Sequence, residues 1–237
     1  MIRLGITGTD TGVGKTVVAC GLTRALVRRR LDVAAMKPIE TGVAFDDPTR
    51  DGALLARAAR HEHLLTTTAP IVLPDPVAPL VAARRTETVL TLATLDRAVE
   101  QASADRDALI VEGAGGLLVP ITAEETYATL FRRWALGVII VAANKLGVIN
   151  HVRLTCAACR AEGLPIYAVV LNQTERLNGD PSVDDNPSVI EELEEVPVVV
   201  LPWLADGYDV DRAASAVEAS GLVDLVLAVT DHPTTIV

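Results

Sequence analysis

The sequence contains few aromatic residues, few cysteines and no excess of basic residues. Phe, Trp and Tyr make up only 3 % of its 237 residues, although half of all residues are hydrophobic. Small and β-branched side chains must therefore form the core, which is typical of a parallel sheet covered by helices. The length is enough for a substantial core and favours one domain spanning residues 1–237.

Further absences disfavour several kinds of partner. The formal net charge is −10, whereas a protein that binds nucleic acid presents a basic surface to the phosphates. No apolar run approaches the roughly 20 residues needed to cross a bilayer, and residues 1–6 are too short for the apolar region of a signal peptide. An odd number of cysteines, three, argues against a disulfide framework. We expect a cytoplasmic protein that binds neither nucleic acid nor membranes.

Short apolar runs alternate with amphipathic stretches along the chain. This order predicts βαβ units in an α/β fold, with a mostly parallel central sheet and helices on both of its faces. The predicted strands are Leu4–Thr7, Val33–Lys37, Ala108–Glu112, Val138–Ala143, Ile166–Leu171 and Val198–Leu201. The predicted helices are Lys15–Arg30, Asp51–Ala59, Leu92–Ala102, Tyr127–Trp134, Val152–Glu162 and Val189–Glu194. Ligands are expected at the carboxyl ends of the strands.

Three segments lack a regular pattern. Residues 70–79 hold four prolines and are expected to form an ordered, non-helical surface segment. Residues 176–188 are polar and acidic, with two prolines, and are expected to form a mobile loop. The tail after Ala228 is expected to fray.

A glycine-rich loop, Gly8–Thr16, follows the first predicted strand and opens the first predicted helix. Glycines let backbone N–H groups converge on an anion, and the helix N-terminus adds a partial positive charge. Lys15 can reach the β- and γ-phosphates of a nucleotide, and the Thr16 hydroxyl can ligate Mg²⁺. The strict phosphate-loop pattern would need glycine where Thr9 stands, so this loop is a variant. A glycine-rich turn without a ligand is the disfavoured alternative, because Gly-Lys-Thr in this context is specific.

Two carboxylates and a lysine stand where they could complete a nucleotide site. Glu112 ends a predicted strand and precedes several glycines, Lys37 ends the second predicted strand, and Asp51 opens a predicted helix. Carboxylates and a hydroxyl suit a hard Mg²⁺ ion, and a lysine there can stabilise a transferring phosphoryl group. Position alone leaves other interpretations open: Glu112 could face solvent, Lys37 could be a surface lysine, and Asp51 could be a helix cap.

Six segments in this order resemble the dethiobiotin synthetase family of phosphate-loop (P-loop) enzymes. They are Gly8–Thr16, Lys37–Gly42, Val111–Gly116, Lys145–His151, Leu171–Asn172 and Leu201–Leu204. The resemblance covers nearly the whole chain and implies a single-domain P-loop NTPase-type fold. Residues 66–85 and 176–188 are the least similar to the family.

The resemblance implies a ligase reaction that consumes ATP and requires Mg²⁺. The implied substrates are 7,8-diaminopelargonic acid (7,8-diaminononanoate) and CO₂ or bicarbonate. A carbamate forms first, the γ-phosphate converts it to a carbamic–phosphoric anhydride, and ring closure gives dethiobiotin, ADP and phosphate. The family further implies a homodimer with active sites at the subunit interface.

The resemblance also implies a role for individual residues. Catalytic roles fall to Lys37, Lys15 and Thr11, and Thr41 binds near the carbamate. Mg²⁺ is held by Thr16, Asp51 and Glu112. The implied nucleotide-binding residues are Gly12, Val13, Gly14, Lys15, Thr16, Val17, Asp51, Glu112, Gly113, Ala114, Gly115, Asn172, Gln173, Pro202, Trp203, Leu204 and Asp209.

The resemblance places the distal carboxylate of the substrate on a segment that the partner subunit supplies. The residues are Leu146, Gly147, Val148, Ile149 and Asn150. They lie where a predicted strand gives way to a helix, so their backbone N–H groups could bind an anion. The alternative is that Asn150 only caps that helix.

Several other interpretations are weaker. A switch ATPase of the partitioning and cell-division type would carry an extra lysine in the loop, near the position of Asp10. A cobyrinate-type amidating ligase would need a downstream glutaminase domain, and a nucleotide-binding regulator would show no turnover. Cys156 and Cys159 have the spacing of a metal or redox pair, but they lie in a helical pattern without a second pair and are expected to be core thiols.

Overall fold

The computed structural model describes residues 1–176, 179–204 and 209–231, and the strands are distributed over most of that length. They are β1 (Ile2–Gly8), β2 (Val33–Met36), β3 (Ile39–Thr41), β4 (Ile71–Leu73), β5 (Ala108–Gly116), β6 (Gly137–Ala143), β7 (Ile166–Asn172) and β8 (Val198–Leu201).

Helices separate most of these strands. They are α1 (Lys15–Arg28), α2 (Asp51–Ala59), α3 (Leu65–Thr68), α4 (Pro79–Arg85), α5 (Leu92–Ser103), α6 (Tyr127–Arg133), α7 (Val148–Ala161), α8 (Ser182–Glu194), α9 (Val210–Ala219) and α10 (Leu222–Asp231). A short 3₁₀ turn, Glu62–Leu64, precedes α3. None of the helices in these described ranges combines the length and apolarity needed to span a membrane.

The central sheet has six parallel strands in the order β2-β5-β1-β6-β7-β8. β1 lies in the middle, where Leu4 pairs with Ile110 of β5 and with Gly137 of β6. β3 and β4 form a separate two-stranded parallel sheet. The carboxyl ends of β1, β2 and β5 consequently meet at one edge, which is where the phosphate loop begins.

Alternate residues of the central strands pack into two separate cores. Leu109 and Val111 of β5 belong to the core covered by α4–α8, whereas Ala108 and Ile110 belong to the core covered by α1, α2, α9 and α10. This alternation is what a sheet buried on both faces requires. The prediction of a parallel sheet with helices on both faces is confirmed.

The prediction of a mobile loop over residues 176–188 is wrong from Ser182 onward, because α8 begins there. Pro187 lies inside this helix and has no N–H to donate to the carbonyl of Val183. The side chain of Asn144 donates to that carbonyl instead, at 3.1 Å, so the proline is accommodated by a residue from the end of β6.

Other boundaries also differ from the predictions. Residues 70–79 contain β4 and the first residue of α4, since Pro79 takes the first helical position, where a missing N–H costs nothing. α7 begins at Val148 rather than Val152. α10 continues past Ala228 to Asp231, and residues 232–237 lie outside the described part.

The cysteine pair lies in the core, as predicted. Cys156 and Cys159 are buried against the α7 side of the sheet and form no disulfide. Burial raises the pKa of each thiol to about 12, so neither is a thiolate near neutral pH. A metal-binding or redox role for this pair is therefore disfavoured.

Candidate active site

The phosphate loop joins the end of β1 to the first residue of α1. Gly12 and Gly14 both have positive φ, 76° and 95°, and Gly14 is the residue before the helix. The side chain of Asn172, at the end of β7, donates to the carbonyl of Val13 at 3.0 Å and holds the loop against the sheet. Lys15 is buried and its ammonium donates to the carbonyl of Asp10 at 2.9 Å. Burial, followed by repulsion from Lys37, lowers the pKa of Lys15.

Lys37 lies between two carboxylates at the carboxyl edge of the sheet. Its Nζ is 2.6 Å from Oε1 of Glu112 and 2.6 Å from Oδ2 of Asp51. Lys37 is 4 % exposed and Glu112 is fully buried, so the interpretations of Lys37 as a surface lysine and of Glu112 as a solvent-facing residue are wrong. Asp51 is the first residue of α2 and directs its carboxylate to Lys37 instead of capping the helix.

Burial and charge act against each other in this cluster. Burial alone would lower the pKa of Lys37, but Glu112 and Asp51 raise it well above its usual range. Burial would raise the pKa of Asp51, but the charge and hydrogen bond of Lys37 hold it below its usual value. For Glu112 burial prevails and its pKa is raised. We regard the ammonium–carboxylate form as the relevant one, because Lys37 faces both carboxylates at hydrogen-bond distance.

The donors around Lys37 fit a magnesium ion. The Thr16 hydroxyl donates to Oε1 of Glu112 at 2.9 Å, and the Lys37 ammonium donates to that same oxygen and to Asp51, so one hydroxyl and two carboxylates are grouped at one place. Oxygen ligands of this kind are those that Mg²⁺ prefers. No group of three or more His, Cys, Asp and Glu side chains able to hold a metal occurs among the described residues. Phosphate oxygens or water would therefore have to complete the coordination of a metal here.

A cavity of about 690 Å³ opens beside this cluster. It brings together eleven of the residues singled out from the sequence: Thr11, Gly12, Gly14, Lys15, Thr16, Lys37, Thr41, Asp51, Glu112, Ala114 and Gly115. Its phosphate end is formed by the loop and the lysines, and Thr41 lies at the end of β3 on the other wall. Val13, Val17 and Gly113 are in the loop, in α1 and in β5 but do not line it.

The predicted nucleotide-binding residues from Asn172 to Asp209 end or follow β7, follow β8 or directly precede α9, and they do not line this cavity. Asn172 contacts the loop as described, and the N–H of Gln173 donates to the carbonyl of Leu201 at 3.0 Å. Pro202, Trp203 and Leu204 follow β8, where the Arg176 guanidinium lies 5.0 Å from the centroid of the Trp203 ring. Asp209 caps α9 by accepting from the N–H groups of Asp211 and Arg212. The nucleotide-binding roles of these residues stay predictions.

The segment predicted to bind the distal carboxylate lines a different cavity, of about 760 Å³, on the face formed by α7 and α8. Gly147, with φ 92°, is the residue before α7, so the interpretation of Asn150 as the helix cap is wrong. The N–H of Leu146 already donates to Oδ2 of Asp180 at 3.0 Å. A substrate carboxylate would therefore compete with Asp180 for this donor.

The sequence interpretation missed the outer wall of the first cavity. That wall is formed by Glu40, Val43, Asp47, Thr49, Arg50, Pro76, Val77, Ala78, Pro79 and Val119. The sequence could have indicated two of these residues. Glu40 lies between Lys37 and Thr41, and Arg50 directly precedes Asp51, so both adjoin residues that were predicted to belong to the site. The proline-rich segment gave no signal, because its approach to the cavity depends on the pairing of β3 with β4.

The chain is similar in sequence to a protein family and to individual known proteins. A family model described as an AAA domain matches residues 3–207. A protein of Anaeromyxobacter dehalogenans (strain 2CP-C) named ATP-dependent dethiobiotin synthetase BioD is 42 % identical over 93 % of this chain and 98 % of its own length. A protein of the same name from Thermodesulfovibrio yellowstonii is 38 % identical over 85 % of this chain and 88 % of its own length.

Solved structures of similar shape have much lower sequence identity. A chain of the MinC:MinD cell division protein complex from Aquifex aeolicus matches with a TM-score of 0.58 and 14 % identity, over 100 % of this chain and 98 % of that chain. The septum site-determining protein MinD from Pyrococcus horikoshii matches with a TM-score of 0.54 and 17 % identity, over 98 % of this chain and 96 % of that chain. These similarities establish the P-loop NTPase-like fold alone.

The two glycines of the phosphate loop predict different effects of alanine. A Cβ atom at Gly14 would lie 2.1 Å from Nδ2 of Asn172, whereas a Cβ at Gly12 would meet nothing within 4 Å. Both changes carry the cost of a left-handed backbone, about 1–2 kcal/mol, but only Gly14→Ala also breaks the contact between Asn172 and Val13. We expect Gly14→Ala to weaken ADP binding by about tenfold more than Gly12→Ala, measured by calorimetry. Equal losses in the two variants would show that Asn172 does not hold the loop.

Proposed function

Because the chain belongs to the family of ATP-dependent dethiobiotin synthetases, we propose that it carboxylates 7,8-diaminopelargonic acid and closes the ureido ring of dethiobiotin. The family establishes an ATP-dependent ligase of biotin biosynthesis. The observation that carries the substrate proposal is the position of Lys37, 2.6 Å from Asp51 and from Glu112, between the phosphate loop and a large cavity.

The proposed reaction has three steps. One amine of the substrate attacks CO₂ and, after losing a proton, becomes a carbamate. A carbamate oxygen then attacks the γ-phosphorus of ATP, and ADP leaves, which gives a carbamic–phosphoric anhydride. The second amine attacks the carbonyl carbon and expels phosphate. Phosphorylation is needed because a carbamate oxygen is a poor leaving group until it carries a phosphoryl group.

Positive charge and positioning account for most of the catalysis of phosphoryl transfer. The loop amides would bind the phosphates, and Lys15, which is buried at the start of α1, would reach the β- and γ-phosphates. Lys37 is held by its two carboxylates at a fixed place, so little reorganisation is needed when charge develops on the transferring group. Thr16, Asp51 and Glu112 would hold Mg²⁺, which neutralises phosphate charge when bound.

The outer wall of the cavity has the character that an aliphatic diamine needs. Val43, Val77 and Val119 provide apolar surface for a hydrocarbon chain. Thr41 provides a hydroxyl, and Asp47 provides a carboxylate for a cationic amine. The side-chain hydroxyl and backbone N–H of Thr49 hydrogen-bond the carboxylate of Asp47 and hold its pKa below the usual range, so Asp47 is ionised near neutral pH.

A second subunit is part of the proposal. The face around the second cavity exposes Leu146 by 80 % and Leu154 by 62 %, and Ile149 lies between them on α7. Exposed apolar side chains grouped on one face are typical of an interface. In a homodimer this face would bring residues 146–150 of one subunit to the substrate of the other.

The assay that tests the reaction measures ADP release with Mg²⁺, bicarbonate and the diamine. We expect release to depend on all three, because the γ-phosphate has no acceptor until the carbamate forms. Omitting each component in turn provides the controls. Turnover that persists without the diamine would contradict the proposal and favour a switch ATPase.

Replacing Lys37 tests its role in phosphoryl transfer. We expect Lys37→Ala to lower kcat by about 10²–10³-fold, as loss of one fixed charge-stabilising group does. ADP should still bind, because the loop and Lys15 are unchanged. Steady-state kinetics together with calorimetry of ADP binding measure both quantities. A normal kcat would remove Lys37 from the mechanism.

A negative charge introduced on α7 tests whether the protein dimerises through this face. We expect Leu154→Glu to convert a dimer to a monomer in sedimentation velocity, since a carboxylate would be buried in the interface without a partner, and to lower kcat/KM for the diamine. Val89→Glu is the matched control, because Val89 is 81 % exposed and lines neither of the two cavities described. A Leu154→Glu variant that remains dimeric would place the interface elsewhere.

A further inference from the structure

A buried ion pair joins β3 to the start of α2 on the wall of the active-site cavity. Glu40 and Arg50 are each 2 % exposed, and Nη1 of Arg50 contacts Oε2 of Glu40. Oε1 of Glu40 accepts from the N–H of Gly52 at 3.1 Å. One carboxylate oxygen of Glu40 therefore binds Arg50, directly before α2, and the other binds Gly52, the second residue of α2.

The pair also holds the loop that connects the two elements. Nε of Arg50 donates to the carbonyl of Phe45 at 2.9 Å, and its guanidinium lies 5.0 Å from the centroid of the Phe45 ring. Nη2 of Arg50 has no hydrogen-bond partner in the described part of the chain. Arg50 thus links strand, loop and helix from a single buried position.

Stability alone does not explain this arrangement. Removing two charges from water is costly, and a buried ion pair often contributes no more to stability than a well-packed apolar pair of the same volume. An unsatisfied Nη2 adds to that cost. The ion pair is therefore better explained by the groups that it holds in place than by its contribution to stability.

The helix that the pair holds begins with Asp51. Arg50, the residue before α2, provides no side-chain cap to the helix, so the carboxylate of Glu40 supplies the acceptor for the N–H of Gly52 from another element. The fit is tight, because a Cβ on Gly52 would lie 2.5 Å from Cβ of Ala69 and 2.7 Å from Nη1 of Arg50. The start of α2 is fixed relative to β3, and the Asp51 carboxylate is directed at Lys37.

We propose that Glu40 and Arg50 are positioning residues, which fix the Asp51 carboxylate so that it can hold the metal next to Lys37 and the nucleotide phosphates. This inference rests on the proposed magnesium-dependent function. Within the described residues neither Glu40 nor Arg50 hydrogen-bonds to Lys37 or Glu112, so the pair would act through Asp51. Groups that orient a metal ligand typically change metal affinity or activity by about 10–100-fold when they are removed.

The decisive variant replaces both charges with apolar side chains of similar length, Glu40→Met/Arg50→Met. It leaves no unpaired buried charge, but the N–H of Gly52 loses its acceptor, so we expect its thermal midpoint to fall by only about 2–4 °C. We expect its affinity for Mn²⁺ at saturating ADP to fall by about tenfold or more, measured from the electron paramagnetic resonance signal of free Mn²⁺. Its affinity for ADP in the presence of EDTA should be unchanged, since the loop is intact.

The matched control is Asp96→Asn/Arg133→Met, which removes an ion pair between α5 and α6 that lines neither cavity described. It should leave Mn²⁺ affinity unchanged. A folded Glu40→Met/Arg50→Met variant that keeps its wild-type Mn²⁺ affinity would overturn the proposal, because the pair would then not position the Asp51 carboxylate for the metal.

If the Glu40→Met/Arg50→Met variant does not fold, the single variant Glu40→Gln tests the same proposal. Glu40→Gln keeps an oxygen for the N–H of Gly52 but no longer pairs the charge of Arg50. Reduced Mn²⁺ affinity with unchanged ADP affinity in EDTA supports the proposal, and wild-type Mn²⁺ affinity overturns it. The Mn²⁺ measurement needs neither the diamine nor turnover. A wild-type protein that binds Mn²⁺ and ADP but releases no ADP with the diamine would refute the proposed reaction and leave this test intact.

Discussion

The contact of one buried ammonium with two carboxylates organises the active site of this protein. Lys37 follows β2, Glu112 lies within β5 and Asp51 begins α2, and the three meet within hydrogen-bond distance. Removing Lys37 would leave the fully buried carboxylate of Glu112 without its counter-charge, which is costly in a medium of low dielectric constant. The edge of the sheet, the first turn of α2 and the phosphate loop therefore have to keep one relative position.

That constraint divides the cavity into two chemically different halves. The loop N–H groups, Lys15 and the Lys37 ammonium, which Asp51 and Glu112 flank, place anion-binding donors at one end of the cavity in a protein whose formal net charge is −10. The opposite wall, built from the loop before α2 and the segment before α4, is apolar with a few polar groups. In the proposed reaction the phosphates would occupy the first half and the aliphatic diamine the second. The overall charge of the chain gave no information about either half, because site chemistry depends on local groups.

Similar folds around this loop serve different purposes. The MinD structures share the fold at low identity, which follows from the same βαβ connections. The sequence relatives at 38–42 % identity share the name of a ligase. Because one fold can carry many functions, the function has to be argued from the residues of the site, both in the loop and around the acceptor of the phosphoryl group. In the proposed reaction the residues around the acceptor would come from β3, the loop before α2 and the proline-rich segment, which line the cavity.

Local sequence pattern alone determined the alternation of strands and helices and the phosphate loop. It also identified Thr16, Asp51 and Glu112 as candidate metal donors. The spacing of hydrophobic residues and the placement of glycines are patterns within a few neighbouring residues, so they can be recognised without a structure. Only the tertiary structure decided that Lys37 is buried against Glu112, 75 residues away in sequence, and that Glu40 binds the start of α2. It also decided that α8 tolerates Pro187, because Asn144 satisfies the carbonyl that the proline cannot. Such contacts join groups whose proximity depends on how the whole sheet is assembled, and no local pattern encodes that assembly.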